Sequence, residues 1–272
     1  MIFVRDKGRL CNNILQYGHL YAWGREHGRR TVSMRFAYKY KGFRICHTPY
    51  HHFWVYLLAK TAARFGWLPV ADFGVDAPTD STRMEALLLS HRHAVAEGWY
   101  ARWYDLFLKY KSDIVSLFAF DDWVKTAPDR LLDSLPADGL KLGLHVRRGD
   151  YRTWHQGRYF YTDEQYIAQV RSFLDLHPGQ RVQVLVCGND PTLDADLYRR
   201  SLPAADISFP QGSPVEDLYL LSQCDYLLGA PSTFTLVASM YRDLPLCWIT
   251  DAAVPVTEAS FRRFDYLFQH IL

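Results

Sequence analysis

The second half of the chain constrains the fold most, because short apolar runs alternate there with segments of helical periodicity. The apolar runs lie at about 142–146, 181–187, 207–209, 226–229 and 246–249. We predict helices between and after them, at 164–176, 193–200, 214–222, 232–241 and 258–271. Strands that alternate with helices form a parallel sheet covered on both faces by helices. The predicted fold class is therefore α/β.

The first half opens in the same way, with an apolar strand at 2–4, a glycine-bearing loop and a helix capped by Asn12 or Asn13. A strand at 31–34 follows, which completes a βαβ unit. Residues 36–130 predict helices around 54–66, 83–96 and 99–110 and little regular strand. Pro136 and Gly139 mark the best boundary, so we expect two domains, 1–136 and 137–272.

Charged residues follow the strand predicted at 142–146 directly. Arg147 and Arg148 come first, then Gly149 and Asp150. Ligands of open α/β sheets bind at the carboxyl ends of the strands, and guanidinium groups match phosphate oxygens in bidentate fashion. The pair predicts a phosphate or diphosphate site. A surface salt-bridge cluster is the alternative interpretation.

Ser232 and Thr233 begin a predicted helix directly after another strand of the same sheet. Two hydroxyls and the free N–H groups of a first turn can hold a phosphate, although a simple N-cap explains the same residues. Together with Arg147 and Arg148 at the same edge, they favour a diphosphate site.

Composition places the chain among soluble globular proteins. The net charge is +2, which gives no strong field for nucleic acid, but residues 5–44 carry ten Lys or Arg against two acids. This segment suits an anionic ligand or surface, or is a solvated basic face. The five scattered cysteines and the histidines show no metal-ligand spacing, so no metal is predicted. Without a signal peptide pattern or an apolar run of spanning length, we expect a cytoplasmic protein, with peripheral attachment to the inner face of a membrane left open.

Three segments resemble, in order, motifs of one enzyme family. Segment 8–17 (GRLCNNILQY) resembles the N-terminal G-x-L-G-N-Q-x-F-Q-Y loop of bacterial α-1,2-fucosyltransferases, glycosyltransferase family 11. Segment 145–151 (HVRRGDY) is similar to the H-x-R-R-x-D-Y motif of the wider α-1,2/α-1,6/protein O-fucosyltransferase superfamily. Segments 217–225 (DLYLLSQCD) and 232–235 (STFT) resemble its D-x-x-L-M-S-x-C and N-S-S/T-F-S segments.

The resemblance implies a GT-B-like enzyme with two Rossmann-type domains facing a cleft. It implies an inverting, metal-independent transfer of fucose from GDP-fucose to a saccharide hydroxyl, through an α-1,2 linkage, in surface polysaccharide synthesis. The C-terminal domain would bind the donor and the N-terminal domain the acceptor. No sequence feature defines the oligomeric state.

The same resemblance assigns roles to individual residues. Arg147 would neutralise the β-phosphate of the departing GDP, with His145, Arg148 and Asp150 holding the nucleotide or orienting the arginine. Further donor-binding residues would be Ser232, Thr233, Phe234, Arg9 and Asn12.

The proton acceptor has two candidates. Asp150 is one, and we expect its neighbour Arg148 to weaken it as a base. His155, in the loop beyond, is the other, unless it is an ordinary surface histidine. Cys11, Asn13 and Pro231 depart from the family's pattern. Two alternatives therefore stay open, a related transferase with another donor sugar or acceptor and a non-catalytic nucleotide- or glycan-binding protein.

Overall fold

A computed structural model describes residues 1–5, 7–188 and 190–271. The chain divides into two compact units, Met1–Asp121 and Asp122–Leu272. Each unit contains one sheet of parallel strands with helices packed against it, so the predicted α/β class is confirmed for both.

The first unit has a four-stranded parallel sheet in the order β2-β1-β4-β3. Its strands are β1 (Ile2–Arg5), β2 (Thr31–Ser33), β3 (Val70–Asp72) and β4 (Ala94–Glu97), and its helices are α1 (Leu10–Glu26), α2 (Phe53–Arg64), α3 (Ser81–Ser90), α4 (Tyr104–Lys109) and α5 (Lys111–Leu117). The predicted opening βαβ unit is confirmed by β1, α1 and β2, which pairs in parallel with β1.

Three predictions for this unit are wrong in part. The helix expected at 83–96 ends at Ser90, and Ala94–Glu97 is the fully buried strand β4. The helix expected at 99–110 covers only Tyr104–Lys109. Neither Asn12 nor Asn13 caps α1, because the N-cap is Arg9. Asn13 lies within the first turn instead, where its Nδ2 donates to the carbonyl oxygens of Arg9 and Gly8.

The second unit has a five-stranded parallel sheet in the order β7-β6-β5-β8-β9. Its strands are β5 (Leu140–Val146), β6 (Val182–Gly188), β7 (Ala205–Ser208), β8 (Tyr226–Gly229) and β9 (Leu246–Trp248), and its helices are α6 (Asp122–Ser134), α7 (Asp163–Leu176), α8 (Ala195–Ser201), α9 (Pro214–Ser222), α10 (Thr233–Met240) and α11 (Phe264–Phe268). Every strand predicted here is present. The order, which is 3-2-1-4-5 when the strands are numbered within this unit, is that of a doubly wound sheet without its sixth strand.

The prediction of one helix at 258–271 is wrong. A 3₁₀ turn at Glu258–Ser260 and the short α11 replace it. Between them Arg262 exchanges backbone hydrogen bonds with Leu246, 2.9 and 3.0 Å long, as an isolated bridge to β9. This extended residue at the sheet edge interrupts the helical pattern.

Helix α6 belongs to the second unit by its packing. It contacts α9, and the Tyr219 hydroxyl donates to Asp129 at 2.7 Å. The division therefore falls after Asp121, earlier than the boundary at 136/137 that the sequence predicts. The turn at Pro136 and Gly139 connects α6 to β5 within the second unit.

Strand β5 occupies the centre of its sheet because its side chains suit complete burial. Leu142, Leu144 and Val146 are fully buried on one face. On the other face Gly143 leaves room for α9, since a Cβ there would lie 2.7 Å from side-chain atoms of Leu221. The strand order reverses between β5 and β8, and the carboxyl ends of two such strands border the usual ligand crevice of an open sheet.

Candidate functional site

The loops that follow β5 and β8 form one edge of the second unit's sheet. His145, near the end of β5, pairs in register with Gly229, the last residue of β8. The buried Tyr151 hydroxyl donates to the carbonyl oxygen of Pro231 and ties the two loops together. The chain thus brings the 145–151 and 232–235 segments to one place, as the parallel sheet predicted from the sequence requires.

His145 and Phe234 form a stacked pair across these loops. Their ring centroids are 4.8 Å apart with planes inclined by 20°. His145 is buried, and burial together with the Arg147 charge lowers its pKa to about 3. The imidazole is therefore neutral at physiological pH. Its Nδ1 atom is buried and has no hydrogen-bond partner in the described part of the chain.

Arg147 lies at the end of β5 with its guanidinium against Asp150. Its Nη2 atom donates to both Asp150 carboxylate oxygens, at 2.6 and 2.9 Å. The guanidinium carbon also lies 5.2 Å from the ring centroid of Tyr151, and the backbone N–H donates to the Tyr166 hydroxyl at 3.2 Å. Gly149 makes the tight turn between the two ion-pair partners and has a φ of +66°, a value that favours glycine.

Arg148 has a different environment from its neighbour. Its buried guanidinium donates to Asp163 at 2.6 Å, to Asp190 at 3.4 Å and to the carbonyl oxygen of Tyr161 at 3.1 Å. These contacts fix the loop after β5 to the start of α7 and to the segment after β6. Asp150 pairs with Arg147 rather than with the Arg148 that the sequence analysis expected to act on it, and Arg148 pairs with Asp163.

Ser232 and Thr233 are placed as the sequence predicts, at the start of α10. Ser232 is the N-cap, and its side-chain oxygen accepts from the Phe234 N–H at 3.1 Å. Thr233 and Phe234 open the first turn, and both are half-buried. The first-turn N–H groups of α10 therefore lie at the same sheet edge as the His145–Phe234 stack.

His155 lies in a second short turn, Trp154–Gly157, beyond the first. Its exposed ring packs edge-on against Trp154, with centroids 4.4 Å apart. His155 and Gln156 have φ values of 45° and 58°, in the left-handed region. Each such non-glycine conformation costs on the order of 1–3 kcal/mol, so the surrounding aromatic contacts hold this loop in a specific shape.

Arg9 and Asn12 belong to the first unit. Arg9 is exposed and caps α1 directly beyond the carboxyl end of β1, and Asn12 is in the first turn. Gln16 braces this loop, since its Nε2 donates to the Lys7 carbonyl at 2.7 Å and its Oε1 accepts from the Lys7 N–H at 3.2 Å. Arg9 and Asn12 therefore lie at the carboxyl edge of the first unit's parallel sheet, the edge at which such sheets bind ligands.

Asp217 is a first-turn acid of α9 to which the sequence analysis assigned no role of its own. It does not cap the helix, because the neighbouring Glu216 forms the capping box with Ser213. Asp217 is largely buried instead, and burial together with the Glu216 charge raises its pKa to about 7. Its Oδ1 atom has no hydrogen-bond partner among the described residues. Its place as the first residue of the DLYLLSQCD segment is the sequence signal that could have indicated a site role.

Asp217 lies near the same sheet edge as His145. Its charge contributes to raising the pKa of the buried Cys187 thiol, after the larger effect of burial. Cys187 is the register partner of His145 on the adjacent strand. His145 Nδ1 and Asp217 Oδ1 are thus two buried polar atoms without partners in the described part of the chain, on elements that both contact β6.

The described part of the chain contains neither a cluster of metal-binding side chains nor a membrane-spanning helix. No group of three or more His, Cys, Asp or Glu residues there could hold a metal ion. No helix in the described ranges has both the length and the hydropathy to cross a membrane.

No family model matches the chain. A curated relative does: the chain is 24% identical over 264 residues to galactoside 2-alpha-L-fucosyltransferase Sec1 from Mus musculus. The alignment covers 88% of this chain but 64% of the mouse protein. The chain thus spans less than two thirds of the length of that relative.

Solved structures of fucosyltransferases share the fold. FUT1 of Arabidopsis thaliana, solved as a variant in complex with GDP, matches with a TM-score of 0.64 at 14% identity, over 96% of this chain and 73% of that one. NodZ α-1,6-fucosyltransferase soaked with GDP-fucose matches with a TM-score of 0.56 at 14% identity, and the match covers 96% of this chain and 98% of NodZ. POFUT1 in complex with GDP-fucose matches with 0.54 at 11% identity, over 89% and 93%. The predicted α/β fold of GT-B type, with parallel sheets, is confirmed by these matches.

Proposed function

We propose that this chain is an inverting fucosyltransferase that moves fucose from GDP-fucose to a saccharide hydroxyl, most simply through an α-1,2 linkage. The Sec1 similarity supports the linkage, and the GDP and GDP-fucose complexes of the structural neighbours support the donor. One observation carries the proposal. His145 Nδ1 and Asp217 Oδ1 are buried and have no hydrogen-bond partner among the described residues, and His145 shares its sheet edge with Arg147 and the first turn of α10. A nucleoside diphosphate would supply the missing partners.

The base of the donor is the first part of this argument. Guanine presents N1–H and N2–H₂ as neighbouring donors, and a carboxylate accepts from both. Asp217 offers such a carboxylate, and its unpartnered Oδ1 gains a donor when guanine binds. The neutral His145 offers its Nδ1 for a further hydrogen bond. The buried groups therefore favour a base that is rich in donors.

The diphosphate is the second part. Arg147 supplies a permanent positive charge at the end of β5, and the first turn of α10 supplies N–H groups and the Thr233 hydroxyl. Asp150 already holds the Arg147 guanidinium from one side. We propose that this ion pair fixes the direction of the arginine toward the β-phosphate, whose charge grows as the bond to fucose breaks. Preorganised charge of this kind lowers the barrier because it needs no rearrangement during the reaction.

The reaction also needs a group that takes the proton of the acceptor hydroxyl. Asp150 and His155 remain the two candidates. Asp150 is committed to Arg147 through both oxygens, whereas the His155 ring is exposed at a loop that is held in a strained conformation. We propose His155 as the base and Asp150 as the residue that orients Arg147. Replacing His155 by Ala should then lower kcat without changing the affinity for GDP.

The remaining parts of the proposal concern the whole chain. The second unit binds the donor and the first unit the acceptor, and Arg9 and Asn12 stay candidates for donor binding, as the sequence predicts. The five free cysteines support a reducing, cytoplasmic location. Transfer proceeds without a divalent cation, since Arg147 carries the charge at the leaving group, and the product extends a surface polysaccharide.

Three measurements on the purified chain test this function. GDP-fucose should raise the Tm more than UDP- or CMP-sugars do, and fucose should pass to a galactose-terminated acceptor in the presence of EDTA. Arg147→Ala should lower the rate of transfer by about 10²- to 10³-fold, whereas Arg200→Gln, which removes an exposed cation of α8, should leave it unchanged. A response to a different nucleotide would support the related-transferase alternative. Donor binding without transfer to any saccharide would support a binding protein.

A further inference from the structure

Helix α2 of the first unit exposes an unusually apolar face. Trp54, Leu58 and Phe65 are 66%, 70% and 63% exposed, and Trp67, in the turn that follows, is 74% exposed. The first three are spaced at i, i+4 and i+11, so they lie on one stripe of the helix. Large apolar side chains that cluster on a surface in this way mark an interaction site.

Positive charge borders this stripe. Lys60 and Arg64 are one helical turn apart, and both are exposed. Neither takes part in an ion pair within the described part of the chain. We define the α2 face as Trp54, Leu58, Lys60, Arg64, Phe65 and Trp67. The opposite side of the helix is the one that packs on the unit, through the buried Ala59.

The surrounding sequence reinforces the charge. Residues 27–71 contain eight Lys or Arg and no Asp or Glu. Part of this charge lies close to α2, because the Tyr38 and Tyr56 rings stack with centroids 4.1 Å apart and bring the 35–41 turn, with Lys39 and Lys41, against the helix. Trp54 and Phe65 lie on one face of α2, and Trp67 follows in the next turn. Aromatic residues in this arrangement, flanked by Lys and Arg side chains and by no acids, are typical of segments that lie in a membrane interface.

We propose that the α2 face binds the surface of an anionic membrane, with Trp54, Leu58, Phe65 and Trp67 at the boundary between headgroups and acyl chains. Lys60 and Arg64 extend along the helix and place their charges among anionic headgroups. The α2 face would then be the part of the chain that contacts the membrane in the peripheral attachment that the sequence analysis left open. This inference does not depend on the donor or on the reaction.

Other occupants fit the composition less well. Saccharides also stack on aromatic rings, but sites for them need carboxylates or amides that bind sugar hydroxyls in pairs. Residues 53–67 contain no Asp, Glu, Asn or Gln. A second copy of this chain would place Lys60 and Arg64 opposite other cations, since no acid lies on the α2 face.

Vesicle cosedimentation with the full chain tests the proposal. We expect binding to vesicles of phosphatidylcholine mixed with phosphatidylglycerol, weak binding to phosphatidylcholine alone, and release by salt, which screens the headgroup charge. The double variant Trp54→Ser/Trp67→Ser should lose binding. Lys60→Gln/Arg64→Gln should weaken it by about fivefold for each removed charge at low salt.

Matched controls come from the second unit. Trp123→Ser removes a tryptophan of α6 that is 56% exposed, and Arg130→Gln/Arg200→Gln removes two exposed cations. Both controls should bind vesicles like the original chain. Unchanged thermal unfolding of every variant would show that the exposed positions do not alter the fold.

Several results would overturn the proposal. One is absence of vesicle binding by the original chain, and another is equal binding of the α2-face variants. Binding that ignores lipid charge and salt would remove the anionic component. If vesicle binding is absent and Trp54→Ser/Trp67→Ser raises the KM for a saccharide, the face is an acceptor contact. If light scattering instead shows a dimer that this variant dissociates, the occupant is a second copy.

Discussion

Replacing Asp217 by Asn should change how the stability of the chain depends on pH. The folded protein raises the pKa of this carboxyl from 3.8 to about 7, chiefly through burial. A raised pKa means that the folded state favours the protonated carboxyl. The ionised carboxylate therefore lowers the free energy of unfolding once the pH exceeds the pKa of the unfolded chain.

The magnitude follows from the two pKa values. Between pH 3.8 and about 7 the folded carboxyl stays protonated while the unfolded one is ionised, so the free energy of unfolding falls by about 1.4 kcal/mol for each pH unit. The total is about 4 kcal/mol, reached above pH 7 and absent below pH 4. Asparagine cannot ionise, so Asp217→Asn should remove this dependence. Any cost of burying the new amide is the same at every pH, so it does not affect how the free energy of unfolding changes with pH.

Urea unfolding at several pH values between 4 and 8 measures the effect. We expect the difference in unfolding free energy between Asp217→Asn and the original chain to rise with pH in favour of the variant. Asp196→Asn is the matched control, because Asp196 is an exposed first-turn acid of α8. The unfolding free energy of this variant should differ from that of the original chain by less than about 1 kcal/mol at every pH. A difference for Asp217→Asn that does not vary with pH would refute the reasoning.

Ligand binding extends the same prediction. If Asp217 accepts from the guanine base, GDP should stabilise the original chain more than inosine diphosphate, which lacks the N2 amino group. Loss of that donor should weaken binding by about tenfold, because a charged acceptor is left with one partner fewer. Asp217→Asn should bind both nucleotides weakly and alike. Equal stabilisation of the original chain by both nucleotides would contradict this role.

Three further predictions concern the neighbouring residues. Arg147→Ala should lower kcat by about 10²- to 10³-fold and weaken GDP binding less, since its charge matters most at the transition state; equal losses in both would contradict that role. Arg148→Met should destabilise the chain by about 3–5 kcal/mol in urea unfolding, because it leaves two buried carboxylates uncompensated; a loss below 1 kcal/mol would show that the network is dispensable. Phe234→Leu should raise the Kd for GDP by about two- to tenfold through loss of ring stacking, with little change in Tm; an unchanged Kd would place the base elsewhere.

The second unit could be predicted from its sequence because its central strands are largely buried. Apolar runs such as Leu142–Val146 differ sharply from the helices between them, and the charge of Arg147 marks where β5 ends. Local chemistry also identifies helix starts. Thr162 and Ser213 both form capping boxes with the residue three positions on.

The first unit was less predictable because tertiary contacts override local preference. Strand β4 has the sequence AVAE, whose alanines and glutamate favour a helix. It forms a strand because it pairs with both β1 and β3, and Glu97 accepts from Arg5 of β1. These partners are far away in sequence, so the local pattern cannot indicate them.

The roles of adjacent residues at the site were also hidden. Arg147 and Arg148 follow one another at a strand end, where successive side chains point to opposite sides. Arg147 pairs with Asp150, and Arg148 pairs with Asp163. Both aspartates follow in the sequence, each at the start of a helical turn, so the sequence alone does not show which arginine pairs with which. Burial of Asp217 likewise depends on the packing of α9, which no spacing along the chain reveals.

The hydrogen bond from Tyr151 to Pro231 joins residues that are 80 positions apart in the chain. Closing such a long loop has an entropic cost that must be met before the contact contributes. The loops after β5 and β8 can therefore meet only when β8 has joined the sheet, so a chain interrupted before β8 has only half of the proposed nucleotide site. A ligand held by both loops stabilises the completed sheet by mass action. During synthesis, nucleotide binding would thus report that the second unit has finished folding.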